Sequence, residues 1–216
     1  MERLFSLLDH GFWMTIPEER LTGLRNGDRP TSLSYSAPMT CFTELRLSAA
    51  QAHHLRYGLL GLVVDRGFVL ERWGAPVHYV RSHEEDAIAG NLVMLLSWIQ
   101  QQIDRGVEHA DTIMTNMRFL IGFTKNMSDL GTDNFLYLDE QEWRIVHSYR
   151  QQELGRIHAT GKDKPKYLMP FTRSDIQMLV VPDSEIRTEL LASVRFSNWA
   201  GAQMPPILTS EEIEQF

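Results

Sequence analysis

Apolar residues in this chain come in short bursts, closed by Gly or Pro and separated by amphipathic stretches. Residues 2–10 read as one amphipathic helix ending at Gly11. Residues 15–36 are rich in Gly, Asn, Asp, Pro and Ser and read as an irregular connection. Met39 to Thr43 has the pattern of a strand, and Ser48 is placed to cap a helix running to Arg56. The continuous run ending at Val64 predicts a buried strand, after which Asp65 caps a short helix over 67–73 and Pro76 to Val80 forms another strand. Ser82-His83-Glu84-Glu85 is a capping box. It opens the clearest helix, in which Ile88, Leu92, Met94, Leu95, Trp98 and Ile99 recur at helical spacing. A second helix fits from Ala110 to Phe119. Residues 134–147 read as strand with a turn near Asp139, and 150–168 as a loop or lid. Ile176 to Val181 is a strand stopped by Pro182, and Asp183 caps a helix through about Val194.

The order of elements is not a strict strand–helix alternation, and no repeat is visible. It predicts a single α+β domain over 1–200, with a helical insertion at about 82–120 and a loosely held tail over 201–216.

The 216 residues suffice for a buried core. No apolar run reaches the roughly 20 residues of a membrane span, and the first residues lack the basic start and cleavage site of a signal peptide. The single cysteine, Cys41, excludes an internal disulfide and points to a reducing cytoplasm. It lies within an apolar strand and reads as a buried structural thiol. A net charge of −7 argues against a general nucleic-acid coat. Local contact with nucleic acid stays open through Arg20, Arg25 and Arg29, which share one polar segment.

Two constellations could carry chemistry. Glu140 and Glu142, at i and i+2 on a strand, would face the same way, and their repulsion would raise one pKa for acid/base work. The plainer reading is an exposed acidic turn with Glu142 paired to Arg144 or a distant Arg. His53 and Tyr57, at i and i+4 on a helix, share a face and could hydrogen-bond one ligand, or simply pack beside a sheet edge. Adjacent His53 and His54 diverge and make poor joint metal ligands. There is no Gly-x-Ser-x-Gly elbow, Walker loop, dinucleotide fingerprint or His-Glu-x-x-His pattern. Trp73, Trp98 and Trp143 read as core.

Several stretches, in order, resemble the bacterial abortive phage-resistance proteins of the AbiGi type: Pro38-Met39-Thr40-Cys41-Phe42, His53-x-x-x-Tyr57-Gly58-x-x-Gly61-Leu62, Pro76-Val77-x-Tyr79 and Glu140-x-Glu142-Trp143-Arg144. Leu4-x-x-Leu7-Leu8-x-x-Gly11-Phe12 and Ile176-x-x-Leu179-Val180-Val181-Pro182 also fit. More remotely, the resemblance extends to ADP-ribosyltransferase-like folds, including the DarT toxins. It implies a split mixed or antiparallel sheet core opening a cleft for NAD. There Glu142, with Glu140 as the upstream carboxylate, would stabilise the oxocarbenium-like ribose as nicotinamide leaves. Tyr57 and Phe42 would stack on nicotinamide, with His53 and Thr43 completing the NAD site. The His-Phe-Thr-type strand that precedes the first helix in those folds has no counterpart ahead of Met1.

The resemblance therefore implies one of two roles in phage defence. One is an NAD-dependent ADP-ribosyltransferase toxin acting on nucleic acid or protein. The other is a non-catalytic antitoxin or regulatory partner of a cognate toxin, whose acidic balance suits a basic partner. A metal-free hydrolase or nuclease using His53 and the carboxylates is a third reading.

Overall fold

The computed structural model of the protein describes residues 1–26, 29–81, 87–127, 136–161, 166–213 and 215, with backbone alone at 22–26, 29–31 and 51–52. The Ser82-His83-Glu84-Glu85 capping box lies outside these residues. Helices and strands are mixed, as the α+β class requires. Among the described residues the strands form small sheets of two or three, mostly antiparallel. Contacts divide the chain into two compact units where one domain over 1–200 is expected: Met1–Met14 with Glu44–Trp73 and Tyr149–Phe216, and Thr15–Thr43 with Gly74–Ser148.

In the first unit, helix Glu2–His10 buries Leu4, Phe5 and Leu8 on one face. It stops at Gly11, whose φ of +107° is open to glycine and whose missing side chain admits the Met169 carbonyl. The buried face packs with Ile176, Leu179, Val181, Leu190, Phe196 and Ala200. Strand Ile176–Val181 runs antiparallel to Gly61–Val64 and parallel to Ile207–Thr209. Asp65 caps Arg66–Glu71 through Gly67 N–H at 2.7 Å, and Asp183 caps Ser184–Ala192 through Ile186 N–H at 2.8 Å, both where the sequence places a cap. Ser48 does not cap: it sits inside a short 3-10 turn before helix Gln51–Tyr57, which begins without a side-chain cap.

Two expectations for this unit fail. The tail after Gly201 is held, because Ile207–Thr209 joins the sheet and Ser210 and Ile213 are buried. The stretch 150–168 is not a loop: it holds helix Tyr149–Glu153 and strands His158–Thr160 and Lys166–Met169, which pair antiparallel.

In the second unit, the irregular connection expected over 15–36 is a long hairpin of Glu18–Asn26 against Arg29–Ser36. A polar composition is no bar to a hairpin, since its ladder is made by the backbone. Leu21 and its opposite, Leu33, anchor the hairpin to Val80, Ala89 and Val93. Helix Ala87–Asp104 thus buries Ala89, Val93 and Ile99, while Ile88, Met94, Leu95 and Trp98 are exposed. From 87 to 103 the chain has no charged residue, so the periodicity does not single out the inward face. Helix Ala110–Ile121 follows. Strand Glu142–Val146 lies between Met39–Thr43 and Ala75–Pro76, antiparallel to both, and His78–Val80 pairs parallel with Thr124–Asn126.

Candidate functional site

The segment expected to be one strand over 134–147 is split. Residues Tyr137–Glu140 form a 3-10 turn, Gln141 takes a left-handed φ of 45°, and the strand begins at Glu142. Glu140 and Glu142 are therefore not successive residues of one strand face. They meet through a cation that sequence reasoning missed: Lys125 Nζ donates to Glu140 Oε2 and to Glu142 Oε2, each at 2.7 Å. The Lys125 ammonium also lies 4.3 Å from the centre of the Tyr137 ring.

The register of the late strand decides the rest. Thr43 opposes Glu142, Cys41 opposes Arg144 and Met39 opposes Val146, so these side chains share one face. Phe42 opposes Trp143 on the other face. Arg144 is 1% exposed and uses all five of its N–H donors. Nε donates to Glu142 Oε1 at 2.7 Å, and Nη1 donates to the carbonyls of Gly122 and Thr124 at 2.9 and 3.3 Å. Nη2 donates to Glu19 and, at 3.4 Å, to Glu142 Oε2. Around it, Tyr35 donates to the Thr124 carbonyl, Thr43 to the Glu140 carbonyl, and Tyr79 Oη accepts the Glu142 N–H at 2.8 Å. The result is an alternating row, Glu19, Arg144, Glu142, Lys125, Glu140, built wholly within the second unit.

Its electrostatics run against the acid/base expectation. Burial opposes the Glu142 charge, but Arg144 and Lys125 outweigh it and hold the carboxyl down at about 2, where mutual repulsion with Glu140 was to raise a carboxylate. Burial likewise opposes charge on Lys125 and Arg144, and their carboxylate partners push both pKa values up. Burial, then Glu19, pushes Tyr35 up. Cys41 is exposed by area rather than buried as expected, yet its thiol is crowded by protein. That crowding, then the charge of the neighbouring Glu142 carboxylate, pushes the thiol up and away from nucleophilic use.

The pairing of Glu142 with Arg144 in the plainer reading is present, but buried rather than on an exposed turn. Thr43, Glu140 and Glu142 come together, while Phe42 faces away from them. His53 and Tyr57 belong to the other unit, on helix Gln51–Tyr57, with ring centroids 5.7 Å apart as the i, i+4 spacing implies, and Tyr57 is 60% exposed. Arg20 is paired with Glu18 at 2.7 Å, and the Arg25 and Arg29 side chains lie outside the described residues. Trp73 and Trp98, expected in the core, are exposed. Among the described residues no group of three His, Cys, Asp or Glu is placed to hold a metal, and no helix is long and apolar enough to cross a membrane.

A family model described as "Putative abortive phage resistance protein AbiGi, antitoxin" matches residues 14–182. No curated protein and no solved structure matches the chain.

Proposed function

This chain belongs to the AbiGi family of abortive phage-resistance antitoxins, and on that premise we propose that it is a non-catalytic antitoxin that restrains a cognate toxin protein. One observation carries the choice against a transferase: the Glu142 carboxylate is 5% exposed and already shared between Arg144 and Lys125 at 2.7 Å. A carboxylate that stabilises a developing ribose cation has to be aimed at the place where that charge appears. Here two internal cations occupy that role. A ribose competing for Glu142 would leave Arg144 and Lys125 undercompensated in a buried setting, which is strongly unfavourable. This pairing speaks against Glu142 as the carboxylate that steadies a ribose cation and supports it as the brace of its sheet. The net charge of −7 suits a partner that is basic where it docks.

The test is incubation of the purified protein with NAD, with free nicotinamide measured, beside a thermal melt of Glu142→Gln. The antitoxin reading expects no release above a protein-free blank and a clearly lowered melt for the variant. Release that disappears in Glu142→Gln while the melt stays put would overturn it. In cells, co-expression with the cognate toxin is expected to restore growth.

A further inference from the structure

A helix on the surface of a folded unit turns its apolar side inward and its charged side out. Helix Ala87–Asp104 breaks the second half of that rule. It buries Ala89, Val93 and Ile99, the first two beside Leu21 and Val80. Yet Ile88, Met94, Leu95 and Trp98 are 60%, 59%, 40% and 53% exposed, and no charged residue occurs from 87 to 103. Ile88, Asn91, Leu95, Trp98 and Gln102 follow one another at alternating steps of three and four. That spacing lines them along one stripe of the helix, as in a helix–helix seam. Met94 flanks the stripe. A bare apolar stripe on a folded unit marks a contact surface.

Two observations choose what covers it. The first is charge. The second unit carries 14 Asp and Glu against 8 Lys and Arg, a net of −6 of the −7 on the whole chain. A basic partner is drawn to those acids and finds no complementary charge on a neutral stripe. A second copy is repelled by the same acids, and the neutral stripe lets two copies meet without setting like charges together. The second is area. Side chains at these exposures offer on the order of 500 Å² per copy. A pair would bury about 1,000 Å², in the class of small, reversible interfaces below roughly 1,200 Å² and well short of obligate dimers.

We propose that this stripe meets the same stripe of a second copy, helix antiparallel to helix about a two-fold axis, in a reversible homodimer. A two-fold contact is self-complementary, so each pairing occurs twice. Setting Leu95 against Trp98 of the second copy also sets Asn91 against its Gln102. Two apolar layers then close at the centre, with an amide pair at either side of them. Antiparallel helices bring opposite dipole ends together. The acidic surface of both copies stays outside the contact. The dimer goes beyond the antitoxin reading, which stands or falls without it.

The experiment is sedimentation equilibrium of the whole protein from about 1 to about 300 μM, a range that brackets the micromolar dissociation constant of a small interface. Wild type is expected to pass from the 24.9 kDa of one chain toward twice that mass. Added salt, which screens the net charge, is expected to tighten the pair. Trp98→Glu and Leu95→Lys are each expected to weaken association by about tenfold or more, because each sets a charge in an apolar layer. At the dilute end both are expected to melt near wild type, since neither side chain is sealed in the single copy. Mixed in equal amounts, the two variants are expected to pair more tightly than either alone: their opposite charges meet in one layer while Leu95 on Trp98 is kept in the other. A wild type of one mass across the range overturns the proposal, as does a Trp98→Glu variant that pairs as wild type does, or a mixture no tighter than its parts. A wild type that stays single, with growth rescue beside the toxin lost in Trp98→Glu, gives the stripe to the toxin instead.

Discussion

Arg144 and Arg156 are the same residue in opposite company. Arg144, at the centre of the second unit, is nearly sealed, and every one of its donors meets a carboxylate or a carbonyl. Arg156, in the first unit, is half-buried and has a ring for a neighbour but no ion pair among the described residues. The first arrangement is complete within the protein and has nothing left to offer a ligand. The second leaves charge and donors unspent. Burial alone therefore does not mark a functional cation; what matters is whether the chain itself supplies the counter-charge.

The comparison is broken most severely at its closed end. Arg144→Met leaves Glu142 and Glu19 facing each other without their shared cation, and is expected to cost about 3–5 kcal/mol in a urea unfolding series. A loss below about 1 kcal/mol would mean that the row is not structural. Acid probes the same pair from the other side. The Glu142 pKa is about 2 folded against 4.5 for the free group, so the unfolded chain binds the proton first as pH falls. The contribution of Glu142 is full above about pH 4.5 and is lost as pH drops through about 2, amounting to roughly 3 kcal/mol. Glu142→Gln should lack that acid limb, and an unchanged limb would assign it to other carboxylates. Coupling sharpens the point: Arg144→Met combined with Glu142→Leu is expected to be more stable than the sum of the two single losses predicts, by about 1–2 kcal/mol. At the open end the expected effect is smallest. Arg156→Gln should shift stability by no more than about 0.5 kcal/mol, against the several kcal/mol at Arg144.

What could be read from the sequence was local. Asp65 and Asp183 cap their helices because a cap acts over two or three residues. The face shared by His53 and Tyr57 follows from helix spacing alone. The acidic pair at 140 and 142 was visible as a cluster, and its Arg144 partner lay within reach. Its decisive member was not: Lys125 sits 15 and 17 positions from the two carboxylates, in a stretch with no pattern to draw attention to it. Glu19 is 125 positions from Arg144. The hairpin over 18–36 and the strand Ile207–Thr209 were missed for a related reason. Both are stabilised by backbone pairing, and for Ile207–Thr209 the partner is Leu179 to Val181, far back in the chain. Trp73 was assigned to the core on residue type alone, and only its backbone angle reveals the unusual place it holds.

The interleaving of the two units has a consequence for synthesis. The chain enters the second unit at Thr15, leaves it after Thr43, re-enters at Gly74 and completes it at Ser148. By the time Ser148 has cleared the ribosome, that inner unit has everything it requires to fold. The outer one still lacks Leu179, Leu190 and Phe196, the residues that cover Leu4, Phe5 and Leu8 of the opening helix. Helix Glu2–His10 is thus made well before its partners, and until they arrive its oily side stands open to chaperones.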